Sequence, residues 1–436
     1  MLQNNFYNLF QIPSHFPTEI IVFSPYHTNT RLIHTLNFIF HRIWQKNYIL
    51  TNNIDEFTLS DKLKINYSEN HIEKCINVYP TPLITNYTKA PISPDFHITQ
   101  NSFYPEDIFA KIFFFISRYE EWFFPFQSDD HQRFEKHCSV FKDELNRPLV
   151  DENIHNFKQF IQKLYPHFKT PYYFQTIYTF DLDNILAFKG KSQLRTTGAL
   201  LKHLLKREHH LFSERIKTLF LNKEDPFIDV YHFIKQLSQK HPVIFFILCK
   251  SSTKFDRAAN TQHPHTISTL QYLQSFAHIG LHPSYDSYLD EKKISNEKKH
   301  LENIIQTKIL ASRQHYLRMN ISTTPKLLLK SGIQYDFTMG FASDTGWRAG
   351  TSYPFYYYDF ETETSTNLLF IPFQVMDGAY FNYQKISIEN SIQHLQNIYQ
   401  TVQKFGGYFI PLFHEITLSP LFNKDAKQWR MFLQSI

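Results

Sequence analysis

From about Tyr172 onward, short strand-like runs alternate with longer helical patterns, and few folds accommodate that rhythm. The strand-like runs are Thr176–Phe180, Val243–Cys249, His278–His282, Ala311–Leu317, Tyr335–Ala342, Leu368–Val375 and Tyr408–His414. Helical patterns fall at Leu200–Leu221, Asp229–Lys240, Thr266–Phe276, Ser295–Leu310 and Ile386–Lys404, with Ser295 the expected N-cap of its helix. Strands separated by helices imply βαβ units and a parallel sheet. About seven of them in this length suit a distorted (β/α) barrel, in which chemistry gathers at the C-terminal strand ends.

The first part of the chain has a different texture. Residues 1–165 mix short strands (Glu19–Phe23, Tyr48–Thr51), one helix over Pro105–Phe124 and a proline-rich loop at Thr81–Asp95. The expectation is an N-terminal α/β domain over residues 1–165 followed by the barrel over 172–436. A chain of 436 residues has room for both. Aromatic residues make up 17% of it, an enrichment shared with Ile, Asn and Lys and explained by AT-rich codons, so no aromatic platform is read from it. The net charge of +5 and charged fraction of 19% argue against a nucleic-acid partner. Cys75, Cys138 and Cys249 are too far apart for a disulfide framework or zinc knuckle, and are expected to be buried free thiols. The first residues lack a secretory pattern, and the longest apolar stretch, around Ile112–Ile116, is far short of the ~20 residues a spanning helix needs. A cytoplasmic protein without an integral membrane segment is the expectation.

The informative polar residues fall at strand ends. Asp181 and Asp183 follow the first run, and alternation puts both on one face with Leu182 on the other. Two carboxylates aimed into one mouth are rarely found without a cation or a shared proton between them, the other reading being a solvated loop with two ordinary aspartates. His282 ends the third run, Arg313 and His315 share a face of the fourth, and His414 ends the last. Each is weak alone, and their coincidence at one end of the sheet is the strongest signal in the chain. His278 shares the face of His282 and reads as structural.

Other features point nowhere firm. Gly190-Lys191-Ser192 resembles half a phosphate-binding loop, but Ile185 stands where that motif needs glycine. Lys202, Lys206, Arg207, Arg215 and Lys217 form a basic helical stretch that reads as a solvated face, with an anionic ligand or surface as the other reading. Glu120 and Glu121 diverge by ~100° on a helix and so do not form a carboxylate pair.

At the strand-end residues the sequence resembles the polysaccharide deacetylase family (carbohydrate esterase family 4), in a bacterial branch with a long N-terminal domain. The family's Thr-Phe-Asp-Asp motif corresponds to Thr179-Phe180-Asp181-Leu182-Asp183, and its His-Ser/Thr-x-x-His motif to His282-Pro-Ser-Tyr-Asp286. Arg313 and Leu412-Phe-His414 match the third and last motifs. Gly346-Trp-Arg-Ala-Gly350, Pro354-Phe355, Pro372-Phe373 through Met376-Asp377, Ser117-Arg118-Tyr119-Glu120-Glu121 and Asp130-His-Gln-Arg133-Phe134 also look like this branch.

The resemblance implies a hydrolase that removes acetyl groups, as amide or ester, from an acetylated carbohydrate of envelope polysaccharide metabolism. It implies a divalent metal, with zinc expected, held by Asp183 and His282. Asp181 is the implied general base, His414 the acid, and Arg313 the group that orients a carboxylate. Asp286, Trp347, Arg348 and Asp377 are the implied substrate-binding residues.

The sequence departs from the family at two points. An extra residue separates the two aspartates, and Asp286 stands where the second metal histidine should be. The third ligand is therefore His315, or Asp286 if a helical turn starts at Pro283, or absent. In the last case the barrel would be degenerate and the protein a glycan-binding or scaffold protein. A glycosidase would need a second acid ~5–10 Å from Asp181, which the sequence does not display.

Overall fold

The computed structural model describes residues 6–13 and 15–436, so the reading of the first residues as lacking a secretory pattern lies partly outside the described residues. The first part of the chain builds a four-stranded parallel sheet from β1 (Thr18–Phe23), β2 (Asn47–Thr51), β3 (Leu63–Tyr67) and β4 (Ile76–Val78), in the order β2-β1-β3-β4. Ile20, Ile21 and Val22 are all buried, as expected of a parallel strand covered on both faces. Only β1 and β2 were expected; β3 and β4 are short and carry polar residues such as Asn66 and Asn77, which hydrogen-bond each other. The helix expected over Pro105–Phe124 is two, Ile108–Ile116 and Tyr119–Phe123, broken where Arg118 adopts a left-handed backbone with φ of 55°.

The second part carries β5 (Phe174–Thr176), β6 (Tyr178–Leu182), β7 (Val243–Ile247), β8 (His278–Leu281), β9 (Ala311–Ser312), β10 (Tyr335–Asp336), β11 (Phe355–Asp359), β12 (Thr364–Phe370), β13 (Val375–Met376), β14 (Gly407–Phe409) and β15 (Pro411–His414). Nine of them form one sheet in the order β11-β12-β10-β9-β8-β7-β6-β15-β13, parallel throughout except for the β11–β12 hairpin. The β5–β14 pair prolongs β6 and β15 backward, joined through the Ile177 amide to the Phe409 carbonyl. β12 pairs with β10, and β13, a few residues further on, pairs with β15. The stretch between them stays tied to β10 and the residues that follow it, since Ile371 N donates to Asp336 O and Phe373 N to Met339 O.

β7 shows why this sheet forms. All of Val243-Ile-Phe-Phe-Ile247 is buried, and alternate residues serve different cores. Ile244 and Phe246 join Ile177, Phe337, Ile371 and Leu412 in an inner cluster, while Val243, Phe245 and Ile247 pack outward under the helices. Phe6 and Phe10 close the inner cluster from the strand-start side, where Phe6 stacks on His278 at 4.3 Å. His278 is thus structural, and burial pulls its pKa down to about 4.

Several boundaries differ from expectation. The helix assigned to Ser295–Leu310 runs Glu291–Ile305 and is capped by Asp290, which accepts from Lys293 N. The basic stretch is two helices, Gln193–Leu205 and His209–Phe220. β9 stops at Ser312, not Leu317, because the chain turns into a 3-10 turn at His315–Leu317 with Tyr316 at φ of 59°. β10 likewise stops at Asp336, whose carboxylate binds Thr338 and Ser312 in place of a sheet ladder. The three cysteines are free as expected, though only Cys249 is buried. No helix among the described residues is long and apolar enough to cross a membrane.

Candidate metal centre and cleft

β6 delivers Asp181 at its end and Asp183 just past it. Both face a cleft of about 320 Å³, lined also by Arg133, His282, His315, Tyr316, Asp377, Tyr383 and His414. Asp183, His282 and His315 offer ligand atoms that all lie within 4.8 Å of one another. Asp183 Oδ1 is 3.6 Å from His282 Nε2 and 3.4 Å from His315 Nε2, and it is shielded from solvent without a hydrogen bond. Those gaps are too long for direct hydrogen bonds. They suit a shared cation: tetrahedral bonds of 2.0–2.2 Å place neighbouring ligand atoms about 3.3–3.6 Å apart. The donor set of two imidazoles and one carboxylate also fits a zinc-like ion.

The two imidazoles are held in the required orientation. His282 Nδ1 lies 2.6 Å from the Arg313 carbonyl oxygen, and His315 Nδ1 lies 2.9 Å from Asp256 Oδ1. In each ring Nε2 is thereby left to face Asp183, the arrangement by which outer partners fix the tautomer of a ligating histidine. Burial disfavours a charged His315, but Asp183 and Asp256 outweigh it and push its pKa up to about 9. Burial likewise opposes ionisation of Asp183, yet His315 and His282 hold its carboxyl well below the usual range. Asp183 and Asp256 thus favour a proton on His315 as long as no cation takes its place.

His315 reaches this point by a route the sequence did not suggest. The strand pleat was expected to aim Arg313 and His315 together, but β9 has already ended. Arg313 N donates to Leu281 O, Gln314 N to Thr338 Oγ1, and the 3-10 turn then directs the imidazole inward. No helical turn starts at Pro283, because Ser284 is drawn to Glu297 through both its amide and its hydroxyl. Asp286 instead pairs with Lys293 and accepts from Ser252 Oγ at 2.5 Å, away from the cleft.

Around the three ligands stand the other strand-end residues. Arg313, fully buried, donates from Nη1 to Asp181 Oδ1 at 2.8 Å and from Nε to Phe337 O. Asp181 Oδ2 is left facing His282 Nε2 at 3.8 Å. His414 Nδ1 lies 2.7 Å from Asp377 Oδ1, and its amide donates to Asp377 Oδ2. Burial works against a charged His414, but Asp377, then Asp183 and Asp181, hold its pKa well above the ordinary value. Glu415, next along, is also raised, which here favours the neutral form: burial and the charge of Asp183 push it up to about 8.

Of the residues expected to bind substrate, only Asp377 lines the cleft. Trp347 is buried with Nε1 donating to Ser352 Oγ, and Arg348 is buried, donating from Nε and Nη2 to the two carboxylate oxygens of Glu121. Their place is the junction between the two parts of the chain. Asp256 and Arg133 were not anticipated. Asp256 sits in the loop after β7, fixed by Ser252, Thr253 and the Tyr285 amide, and the Ser-Thr-x-x-Asp turn was its only sequence signal. Asp256→Asn should leave all three ligands in place yet weaken binding of a divalent cation about 10–100-fold, measured by titration of the metal-free protein.

Residues 20–166 match a family described as a family of unknown function (DUF7033). No curated protein matches the chain. Among solved structures, the chain is similar to a candidate polysaccharide deacetylase from Mycobacterium smegmatis, at 16% identity and a TM-score of 0.39, covering 62% of this chain and 85% of that one. It is also similar to an allantoinase, at 11% identity and a TM-score of 0.37, covering 60% and 83%.

Proposed function

We propose that the chain is a metal-dependent hydrolase that removes acetyl groups from a sugar or glycan precursor. The observation that carries this reading is the convergence of Asp183, His282 and His315 on one point, with Asp181 and His414 on the same cleft wall. The reading includes a distorted seven-stranded barrel over residues 172–436 and a separate N-terminal α/β domain over residues 1–165. Supporting the barrel is the continuous segment 364–376, which hydrogen-bonds β10 through its first half and β15 through its second.

A divalent cation, zinc in this proposal, would be held by Asp183, His282 and His315 and would supply electrophilic polarisation of the acetyl carbonyl and acidification of water. Asp181 is the base: Arg313 occupies one oxygen and fixes the carboxylate plane, leaving Oδ2 to take a proton. His414 is the acid, since Asp377 keeps it protonated and leaves Nε2 to donate to the departing amine or alkoxide. Arg313 and Asp377 are positioning residues. The cleft is of the size of small-molecule sites, and Tyr316, Phe381 and Tyr383 offer apolar faces for a sugar ring.

Release of acetate from N- or O-acetylated sugars by the zinc-loaded protein tests the reading. Absence of metal-dependent release from both classes would sink it. Asp181→Asn should keep the metal and lose about 10²–10⁴-fold in turnover, as expected for loss of a general base. If Asp181→Asn sheds metal as readily as Asp183→Asn, the roles are wrongly divided.

A further inference from the structure

Gln193–Leu205 and His209–Phe220 form a helical pair whose burial is inverted. In the first helix only His203 is buried, and in the second only Glu214, Arg215 and Thr218. Of the polar groups inside, His203 Nδ1 pairs with Glu208 at 2.7 Å, Thr218 donates to the Glu214 carbonyl, and Arg215 lies 4.3 Å over the Phe188 ring. The leucines point outward, with Leu194 87%, Leu205 76% and Leu221 68% exposed, together with Leu201, Leu204 and Phe220. These are six of the eighteen exposed large hydrophobic side chains among the described residues, gathered within residues 194–221. Leu194, Leu201, Leu204 and Leu205 share one helix face by spacing.

The same segment is basic. Residues 193–223 hold seven Lys and Arg against two acidic residues, a surplus equal to the whole chain's net charge of +5. Both acids are already engaged, Glu208 by His203 and Glu214 by Lys217 and Lys223. Exposed Lys202, Lys206 and Arg207 therefore stand unpaired beside the leucines, the chemistry of a helix lying in the headgroup region of an anionic bilayer.

We propose that this helical pair docks the protein on an anionic lipid surface. The proposal does not depend on the hydrolase reading. The pair emerges from the strand end that carries the metal centre, and Lys191 Nζ donates to Asn184 Oδ1 at 2.5 Å, tying its root to the residue after Asp183. Docking would bring the cleft close to the membrane plane.

Co-sedimentation of the full chain with vesicles tests it. Binding to phosphatidylcholine–phosphatidylglycerol vesicles should exceed binding to phosphatidylcholine alone at least tenfold and fall with added salt. Leu201→Gln/Leu205→Gln should lower it at least tenfold while metal content stays unchanged. Lys202→Gln/Lys206→Gln, fully at the surface, should weaken binding to the anionic vesicles severalfold. The proposal is overturned if the full chain does not bind anionic vesicles or if the leucine substitutions leave binding intact. It is equally overturned if, without vesicle binding, those substitutions abolish self-association, which assigns the face to a second copy.

Discussion

Replacing His315 with alanine should lower the affinity for a divalent cation by orders of magnitude, while replacing Asp286 should leave it nearly unchanged. The two residues were rival third ligands, and the geometry separates them. His315 Nε2 lies 3.4 Å from Asp183 Oδ1, its ring centroid is 4.9 Å from that of His282, and Asp256 fixes its tautomer. Asp286 has spent its carboxylate on Lys293 and Ser252. Loss of His315 leaves two ligands where a stable site needs three with water at the fourth position. Elemental analysis and calorimetric titration check this. A variant at Asp286 that loses metal, with His315→Ala retaining it, would reverse the assignment.

How far the sequence reached depended on whether a residue's position was set locally or by tertiary contacts. Asp181 was legible because β6 is a regular strand, and Asp183, one residue past its end, still faces the same cleft. His414 was legible for the same reason at the end of β15. His315 was identified by the wrong argument: the pleat ends at Ser312, and hydrogen bonds to β8 and Thr338 do the aiming. Asp256 was invisible because its value lies in touching His315, fifty-nine positions away. The strands shorter than four residues, β4, β5, β9, β10, β13 and β14, carry too little periodicity to bound from sequence. Ser295 looked like a cap, but Asp290 starts the helix a turn earlier and thereby presents Glu297 to Ser284. Trp347 and Arg348 were implied as binding residues by the resemblance alone, and their side chains are instead held by Ser352 and Glu121 away from the cleft.

Glu121→Ala should destabilise the protein by about 3–5 kcal/mol, the cost of removing one partner from a buried ion pair. Glu121 Oε1 accepts from Arg118 Nε and Arg348 Nε, both at 2.9 Å, and Oε2 accepts from Arg348 Nη2 at 2.6 Å. Arg118 Nη1 in turn donates to the Arg348 carbonyl. The side chains are 2–3% exposed, so removing the carboxylate leaves two buried guanidinium groups without the partner both of them hydrogen-bond. Nearby, Gly346 at φ of 128° lets the chain pass Leu145, whose carbonyl oxygen would lie 2.1 Å from any added Cβ. The junction has no slack with which to absorb the loss. Burial favours a neutral Glu121, but Arg348 and Arg118 outweigh it and lower its pKa. A lowered folded-state pKa means this stabilisation is complete above the unfolded value of about 4.3 and is lost as pH falls through the folded value. Denaturant unfolding at neutral pH should therefore show the full deficit in Glu121→Ala, and the gap to the parent should narrow in acid. Replacing Glu121 and Arg348 together by apolar residues should cost less than Glu121→Ala alone, because one stranded charge leaves with its partner. In the folded fraction of each variant, metal affinity should match the parent, since none of these groups touches the cleft. A deficit below about 1 kcal/mol would mean the triad behaves as an exposed pair, and a loss of metal affinity would return Arg348 to the site.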